Sequence, residues 1–225
     1  MSGRSELRLD WCSNEAATYA CTRWHYSRSV PSWKKSRIGV WERGEFIGCL
    51  IFTNPMPPTV KRFRCKNTEI TELARVALRD HESQVSRMIA IARRMLLKAN
   101  PRLLVCVSYA DTAQGHHGGI YQASGFGYYG AGKGTREFLM NGKWHHARSI
   151  GQDIKSGKLP RSAWKLPHRE SGAKHCYARL LGCDRGYTIP IEPKPFPKRV
   201  RSETSDTPEV HSGEDGATPI RTLHP

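Results

Sequence analysis

Apolar residues change period along this chain, and each change marks an element. Residues 13–23 (SNEAATYACTR) open on a Ser with a Glu two positions on, which predicts a short N-capped helix. RIGVWE and EFIGCLIFT are rich in β-branched and aromatic residues and are joined by Arg43-Gly44, so they predict a hairpin. ITELARVAL alternates and predicts a third strand. From Ser83 to Asn100 the apolar positions Val85, Met88, Ile89, Ala92, Met95, Leu96 and Ala99 recur at helical spacing. This is the clearest helix signal in the chain, and Asn100-Pro101 stops it. RLLVCVSYA is an almost unbroken apolar run, as a strand buried on both faces requires.

GHHGGIYQASG then predicts a short helix and FGYYG another strand. TREFLMNGKWHHARSI predicts a second hairpin, turning at Asn141-Gly142, and a helical, basic C-terminal segment follows. IPIEPKPFPKR carries four Pro and reads as extended. Helix, antiparallel strands, long helix, buried strand, short helix and strand make a mixed α/β (α+β) fold. Its ligand is expected where the buried strand ends. The expected organisation is a domain over residues 1–150, an extension packed on it over 151–198, and a disordered tail over 199–225, where Ser, Thr, Pro, Gly and acid prevail.

Charge adds a partner to this picture. The 225 residues carry a formal +16, and the tail holds five acids against three Arg, so the body stands near +18. Such an excess favours a polyanion, nucleic acid first, over a merely solubilising surface. The chain shows no run of 18 apolar residues and no secretory signal at its start, so no membrane partner and a cytoplasmic setting are expected. No coiled-coil seam is visible, and the expectation is a monomer. The seven Cys form no CxxC, which disfavours a zinc site at His175, Cys176 and Cys183.

Two stretches concentrate reactive side chains. SYADTAQGHHGGIYQASGFGYYG sets Asp111 at the end of the buried run, then His116 and His117 among glycines, then Tyr121. Asp111 reads as a general base, an acceptor for an amine, a metal ligand, or simply an N-cap. Tyr121 reads as a proton donor or a core aromatic. RWHYSRSVPSWKK interleaves Trp24, Tyr26 and Trp33 with Arg23, Arg28, Lys34 and Lys35, a pattern suited to phosphate contact and base stacking. His25-Tyr26 within it reads as a metal or proton-transfer pair. There is no G-x-x-x-x-G-K-[ST] and no P-C-x-x-C, which argues against P-loop and zinc-deaminase chemistry.

Taken together, RWHYSRSVP, GVWERGEFIGCLIF, ITELARVAL, SYADTAQGHHGGIYQASGFGYYG, AKHCYARLLG and KPFPKR resemble the Mom family of phage DNA-modification proteins, from about residue 15 to 198. The resemblance implies a GNAT-like acyltransferase fold over 1–150. It implies modification of the exocyclic amine of adenine in double-stranded DNA to a carbamoylmethyl group, which protects phage DNA from host restriction in the host cytoplasm. His25, Tyr26 and Asp111 match the family's positions beside an iron ion, Arg75 and Tyr121 match further functional positions, and His116 falls in its Gly-His element. Acetyl-CoA enzymes of this fold hold pyrophosphate on a Gly-rich turn. Here that turn is RDHESQVSR, without Gly, leaving Ser83, Ser86 and Arg87 as phosphate contacts. The implied acyl donor is therefore either acetyl-CoA or glycyl-tRNA. A GNAT-type enzyme acting on a protein or small amine, and a DNA-binding protein without catalysis, are the rival readings.

Overall fold

The computed structural model describes residues 6–32, 35–182 and 186–198. Trp33, Lys34, Cys183 and the 199–225 tail lie outside the described residues. In order, the elements are β1 (Leu7–Trp11), α1 (Asn14–Trp24), β2 (Lys35–Glu42), β3 (Glu45–Thr53), α2 (Pro57–Arg62), β4 (Ile70–Leu78), α3 (Val85–Ala99) and β5 (Val105–Asp111). A single 3-10 turn (Thr112–Gln114) leads to α4 (Gly119–Ala123) and β6 (Gly127–Ala131). Then follow β7 (Arg136–Met140), β8 (Lys143–His146), α5 (Ala147–Lys155), a 3-10 turn (Arg161–Lys165), β9 (His168–Glu170) and β10 (Lys174–Leu180).

Seven strands form one mixed sheet in the order β1-β2-β3-β4-β5-β10-β6, antiparallel except for β4 against β5. This is the expected mixed α/β architecture. Sequence signals are realised where the chemistry is local. Ser13 caps α1 by accepting the Ala16 N–H. Arg43 (φ 52°) and Gly44 (φ 81°) turn the first hairpin, and Asn141 (φ 51°) and Gly142 (φ 72°) the second. Both loops have two residues in the left-handed region, whose twist matches the flanking strands. α1 covers one face, packing Ala17, Ala20 and Cys21 on Cys49, Ile51 and Ala77. α3 covers the other, packing Met88, Ile89, Ala92 and Leu96 on Ile38, Val40, Leu50, Phe52 and Leu73.

The C-terminal third differs from its reading. The expected boundary at residue 150 falls inside α5, and the segment expected to pack as an extension contributes β10 to the middle of the main sheet. Cys176, Tyr177 and Ala178 are buried in succession because β10 is enclosed on both faces, so no alternation betrays it as a strand. Between β6 and β10 the chain builds a separate three-stranded sheet, β8-β7-β9, closed by α5 over Phe138, Ile150 and Ala163. In the proline-rich segment Lys194 bridges to Tyr128 and Phe196 stacks on Tyr177. His175 bonds the Tyr128 hydroxyl at 3.0 Å, while its neighbour Cys176 belongs to the opposite face of the strand. One zinc ion cannot engage both.

Candidate active site

The site begins with a flaw in the sheet. β3 and β4 pair Ile51 with Arg75 but Phe52 with Leu73, leaving Ala74 as an extra residue. Such a bulge bends a strand and increases its twist. β4 and β5 consequently pair only from Ile70–Val105 to Leu73–Ser108, after which they part. The opening is a cleft of about 1390 Å³, lined by Ala74, Val76, Tyr109, Ala110, Trp24, His25, Tyr26, His116, His117 and Tyr121 among others. The fold thus brings together the two stretches singled out in the sequence. Tyr26 is the bridge: its ring lies 4.3 Å from that of His25 and 5.2 Å from that of His116.

His25 ends α1 and is 8% exposed. Its Nδ1 accepts the Ser27 N–H at 3.1 Å and lies 2.8 Å from Ser27 Oγ. A ring nitrogen accepting an N–H carries no proton, so the neutral ring keeps its proton on Nε2 and offers it as a donor. Burial, then the Arg75 cation and then His116 push the His25 pKa down to about 4. An unfolded His takes its proton near 6.5, so this contribution to stability is complete above that value and drains away as pH falls toward 4. In a proton-coupled NMR titration His25 is expected to remain neutral at pH 6; a ring half-protonated there contradicts this account.

Arg75 follows the bulge. Its Nη1 donates to the Ala74 carbonyl at 2.7 Å and its Nε to the Ser29 carbonyl at 3.3 Å, which ties the 25–29 loop to β4. Tyr121 is held against Tyr177 and Phe126, and its phenol bonds the Ser108 hydroxyl, which itself donates to Leu73 O at 2.7 Å. Burial raises the phenol to about 12, so it is a proton donor and not a base. Asp111 uses Oδ1 to accept the Ala113 N–H at 3.0 Å, capping the 3-10 turn, while Oδ2 lies 3.7 Å from Lys174 Nζ. The cap reading therefore holds for Oδ1, while Oδ2 faces a cation.

Gly118 makes the turn after His117 possible. Its φ is +84°, and a Cβ there would lie 2.2 Å from the buried Tyr177 ring. That ring is also held by bonds to the His117 carbonyl and to Gln122. Gly118→Ala is expected to cost about 2–4 kcal/mol, from overpacking plus the left-handed backbone. That is a fall of roughly 5–15 °C in Tm. An unchanged melting curve would remove Tyr177 as the support of this loop.

The other residues expected at the site divide. Trp24 lines the cleft and leans on Tyr19 and Phe46. Arg23 is exposed beside Tyr19. Arg28 folds back onto the Thr22 and Arg23 carbonyls and closes the end of α1, and Lys35 donates to Pro31 O. These two have structural tasks. Ser86 and Arg87 sit on the first turn of α3 and are not among the residues lining the cleft. Sequence reasoning missed Ser27, which sets the His25 tautomer, and Lys174, whose place opposite Asp111 depends on β10. It also missed Glu72, a carboxyl on β4 whose pKa burial raises; its only sequence signal is the alternation of ITELAR.

Neither implied cofactor matches the residues as they stand. For iron, His25 offers an N–H where a ligand needs a lone pair, burial and Asp111 keep the Tyr26 phenol protonated, and Asp111 is engaged by Ala113 and Lys174. Among the described residues no three His, Cys, Asp or Glu side chains cluster for a metal. For CoA, the turn before α3 is occupied from within. Glu42, 8% exposed at the end of β2, accepts the Glu82 and Ser83 N–H groups at 2.9 and 2.8 Å. Its carboxylate takes backbone donors that a pyrophosphate would need. Acetyl-CoA is therefore expected to leave Tm unmoved, whereas a ligand present at 100 times its Kd stabilises by about 2.7 kcal/mol.

A mixed sheet opened by a bulge, with a neutral imidazole N–H and a high-pKa phenol lining the opening and a guanidinium and a carboxylate acting on Tyr26 beside it, is the site of an acyltransferase-like modifying enzyme. The particular family is settled by sequence: the chain belongs to the Mom protein family, which it matches over residues 6–198. It is 26% identical over 178 residues to methylcarbamoylase Mom of Escherichia phage Mu, spanning 77% of this chain and 73% of that one. Among solved structures it is similar to the spermidine/spermine N-acetyltransferase SpeG of Vibrio cholerae (TM-score 0.46, 11% identity, 78% of this chain and 93% of that one). It is also similar to a GNAT family acetyltransferase of Elizabethkingia anophelis with acetyl-CoA bound (TM-score 0.36, 11% identity, 77% and 97%). Among the described residues no helix is long and apolar enough to cross a membrane.

Proposed function

We propose that this protein transfers a two-carbon unit to the exocyclic amine of adenine in double-stranded DNA, leaving the carbamoylmethyl group that protects phage DNA inside the host cytoplasm. The observation that carries this reading is the meeting of His25, Tyr26, His116 and Tyr121 in the cleft where β4 and β5 part, with the charges of Arg75 and Asp111 close enough to act on Tyr26, in a chain related to a methylcarbamoylase. The adenine amine is conjugated with its ring and sits inside the duplex. Reaching it means turning the base out, at a cost of a few kcal/mol. Tyr26, 48% exposed, and Trp24 supply the aromatic faces for an extruded base.

The donor best suited to this cleft is an aminoacyl ester, the glycyl ester of a tRNA. Glycine supplies both carbons and the nitrogen, which an acetyl group lacks, and it needs no pyrophosphate grip at Glu82 and Ser83. N6 attacks the ester carbonyl, forming a C–N bond. Nε2–H of His25 and the Arg75 cation stabilise the oxyanion. Asp111 accepts the N6 proton, the ester C–O bond breaks, and Tyr121 protonates the departing hydroxyl oxygen. The glycyl adduct and the carbamoylmethyl group are constitutional isomers, so reaching the latter exchanges two C–N bonds: N6 leaves the carbonyl carbon for the methylene while the glycine nitrogen leaves the methylene for the carbonyl carbon.

Purified protein is to be incubated with duplex DNA and either acetyl-CoA or glycyl-tRNA, and the digested nucleosides read by fragmentation mass spectrometry against both isomers. A new adenosine species with glycyl-tRNA alone is expected. Product from acetyl-CoA alone sinks the tRNA donor, and a folded, DNA-binding protein that makes no product sinks the enzymatic reading.

A further inference from the structure

The sheet β8-β7-β9 and its cover form a body with its own core, inserted between two strands of the main sheet. Nothing in the proposed chemistry uses it, yet it is rooted beside the cleft. Thr112, the residue after Asp111, bonds the Ala173 carbonyl through both its N–H (3.1 Å) and its hydroxyl (2.6 Å). Gly172 packs so closely there that a Cβ would come within 2.7 Å of Ala113 N. On another side Arg148 reaches Met56 Sδ at 3.7 Å, just before α2.

Its surface is cationic and aromatic at once. Between Arg136 and Glu170 stand eight Lys and Arg against three acids. Arg136–Glu170 and Arg169–Glu137 consume two of each. Lys143, Arg148, Lys155, Lys158, Arg161 and Lys165 remain exposed and have no carboxylate partner within 4 Å among the described residues. Trp164, 45% exposed, is held edge-on to Phe138 at 5.3 Å. With Lys155, Arg161, Ile154 and Gly151 it lines an open groove of about 620 Å³. Trp144, 40% exposed, carries the Arg169 guanidinium over its ring at 4.3 Å.

A solubilising surface explains the lysines but not two exposed indoles fixed in place by packing. A second copy of the chain is opposed by charge of the same sign. A polyanion with sugar and base surfaces to offer the indole satisfies both features.

We propose that this inserted body is a duplex-DNA arm: Lys155, Lys158 and Arg161 grip phosphates beside the target adenine, and Trp164 packs against the sugar edge of the groove. The proposal rests on DNA being the substrate. The arm holds the duplex while the base leaves it, so the cleft need not supply that affinity.

The test uses the full chain with Lys155→Glu, Lys158→Glu and Arg161→Glu combined, a matching triple alanine variant, and Trp164→Ala alone. Binding of a labelled duplex is followed by anisotropy across a salt series, with tRNA and anionic vesicles as parallel ligands. The charge-reversed and alanine triples are expected to bind duplex at least about tenfold more weakly, with a salt slope smaller by about 2–3, roughly 0.9 for each phosphate no longer neutralised. Trp164→Ala is expected to weaken binding with the slope kept. Wild-type affinity and slope in a folded alanine triple overturn the arm, as does a loss confined to tRNA or to vesicles. Absence of modified adenosine from the wild type bears on the chemistry alone, because the binding series is read without turnover.

Discussion

Asp111→Asn is expected to lower single-turnover modification of duplex DNA by roughly 10²–10⁴-fold, with duplex affinity and Tm close to wild type. The separation of these effects follows from the two tasks of the carboxylate. Oδ1 accepts the Ala113 N–H at 3.0 Å and shapes the turn after β5, and an amide oxygen accepts that bond equally well. Oδ2 lies 3.7 Å from Lys174 Nζ, and only a carboxylate there can take a proton from the adenine amine. Lys174→Met tests the same pair from the other side: without the cation Oδ2 loses the partner that orients it, so the single-turnover rate should fall while duplex affinity is kept. Full activity in Asp111→Asn would leave the residue as a cap and nothing more.

Arg75→Gln is expected to cost about 10²–10³-fold in the same assay, the magnitude of removing one electrostatic donor from a developing oxyanion. Gln keeps hydrogen-bonding capacity toward the Ser29 carbonyl, so the 25–29 loop retains a tether. What it lacks is charge. Arg75→Lys restores the charge without the fork and should recover part of the rate. A second readout separates this from loop damage. The Arg75 cation is one of the causes that lower the His25 pKa, after burial, so in Arg75→Gln the His25 titration should move upward from about 4. A rate unchanged by Arg75→Gln removes the guanidinium from the transition state.

How much of this is legible in the sequence depends on the range of the physics involved. Turns with two left-handed residues, a Ser N-cap and the apolar stripe of α3 are decided within a few residues, and each stands where the chain suggests. β10 is not legible. A strand enclosed on both faces alternates nothing, and whether Lys174–Leu180 joins a sheet is decided by β5 and β6, more than forty residues earlier. The separate body over residues 136–170 reads in sequence as a hairpin and a basic helical stretch, because only its small core of Phe138, Ile150 and Ala163 makes it a unit. At the site, Arg28 and Lys35 look like phosphate contacts by composition. A long cationic side chain answers to the nearest unsatisfied carbonyls, and for these two the carbonyls belong to the end of α1 and to Pro31.

From sequence alone come the succession of strands and helices, the basic body seeking a polyanion, and two stretches too rich in His, Tyr, Asp and aromatic residues to be ordinary loops. Only the tertiary structure decides what these residues are. The Ala74 bulge parts β4 from β5 and makes a cleft between the two stretches. Ser27 chooses which nitrogen of His25 carries the proton, and burial keeps the ring neutral. Glu42 fills the turn at which a CoA pyrophosphate was expected. Protonation states and open donors are properties of an environment, and that environment is assembled from residues far apart in the chain.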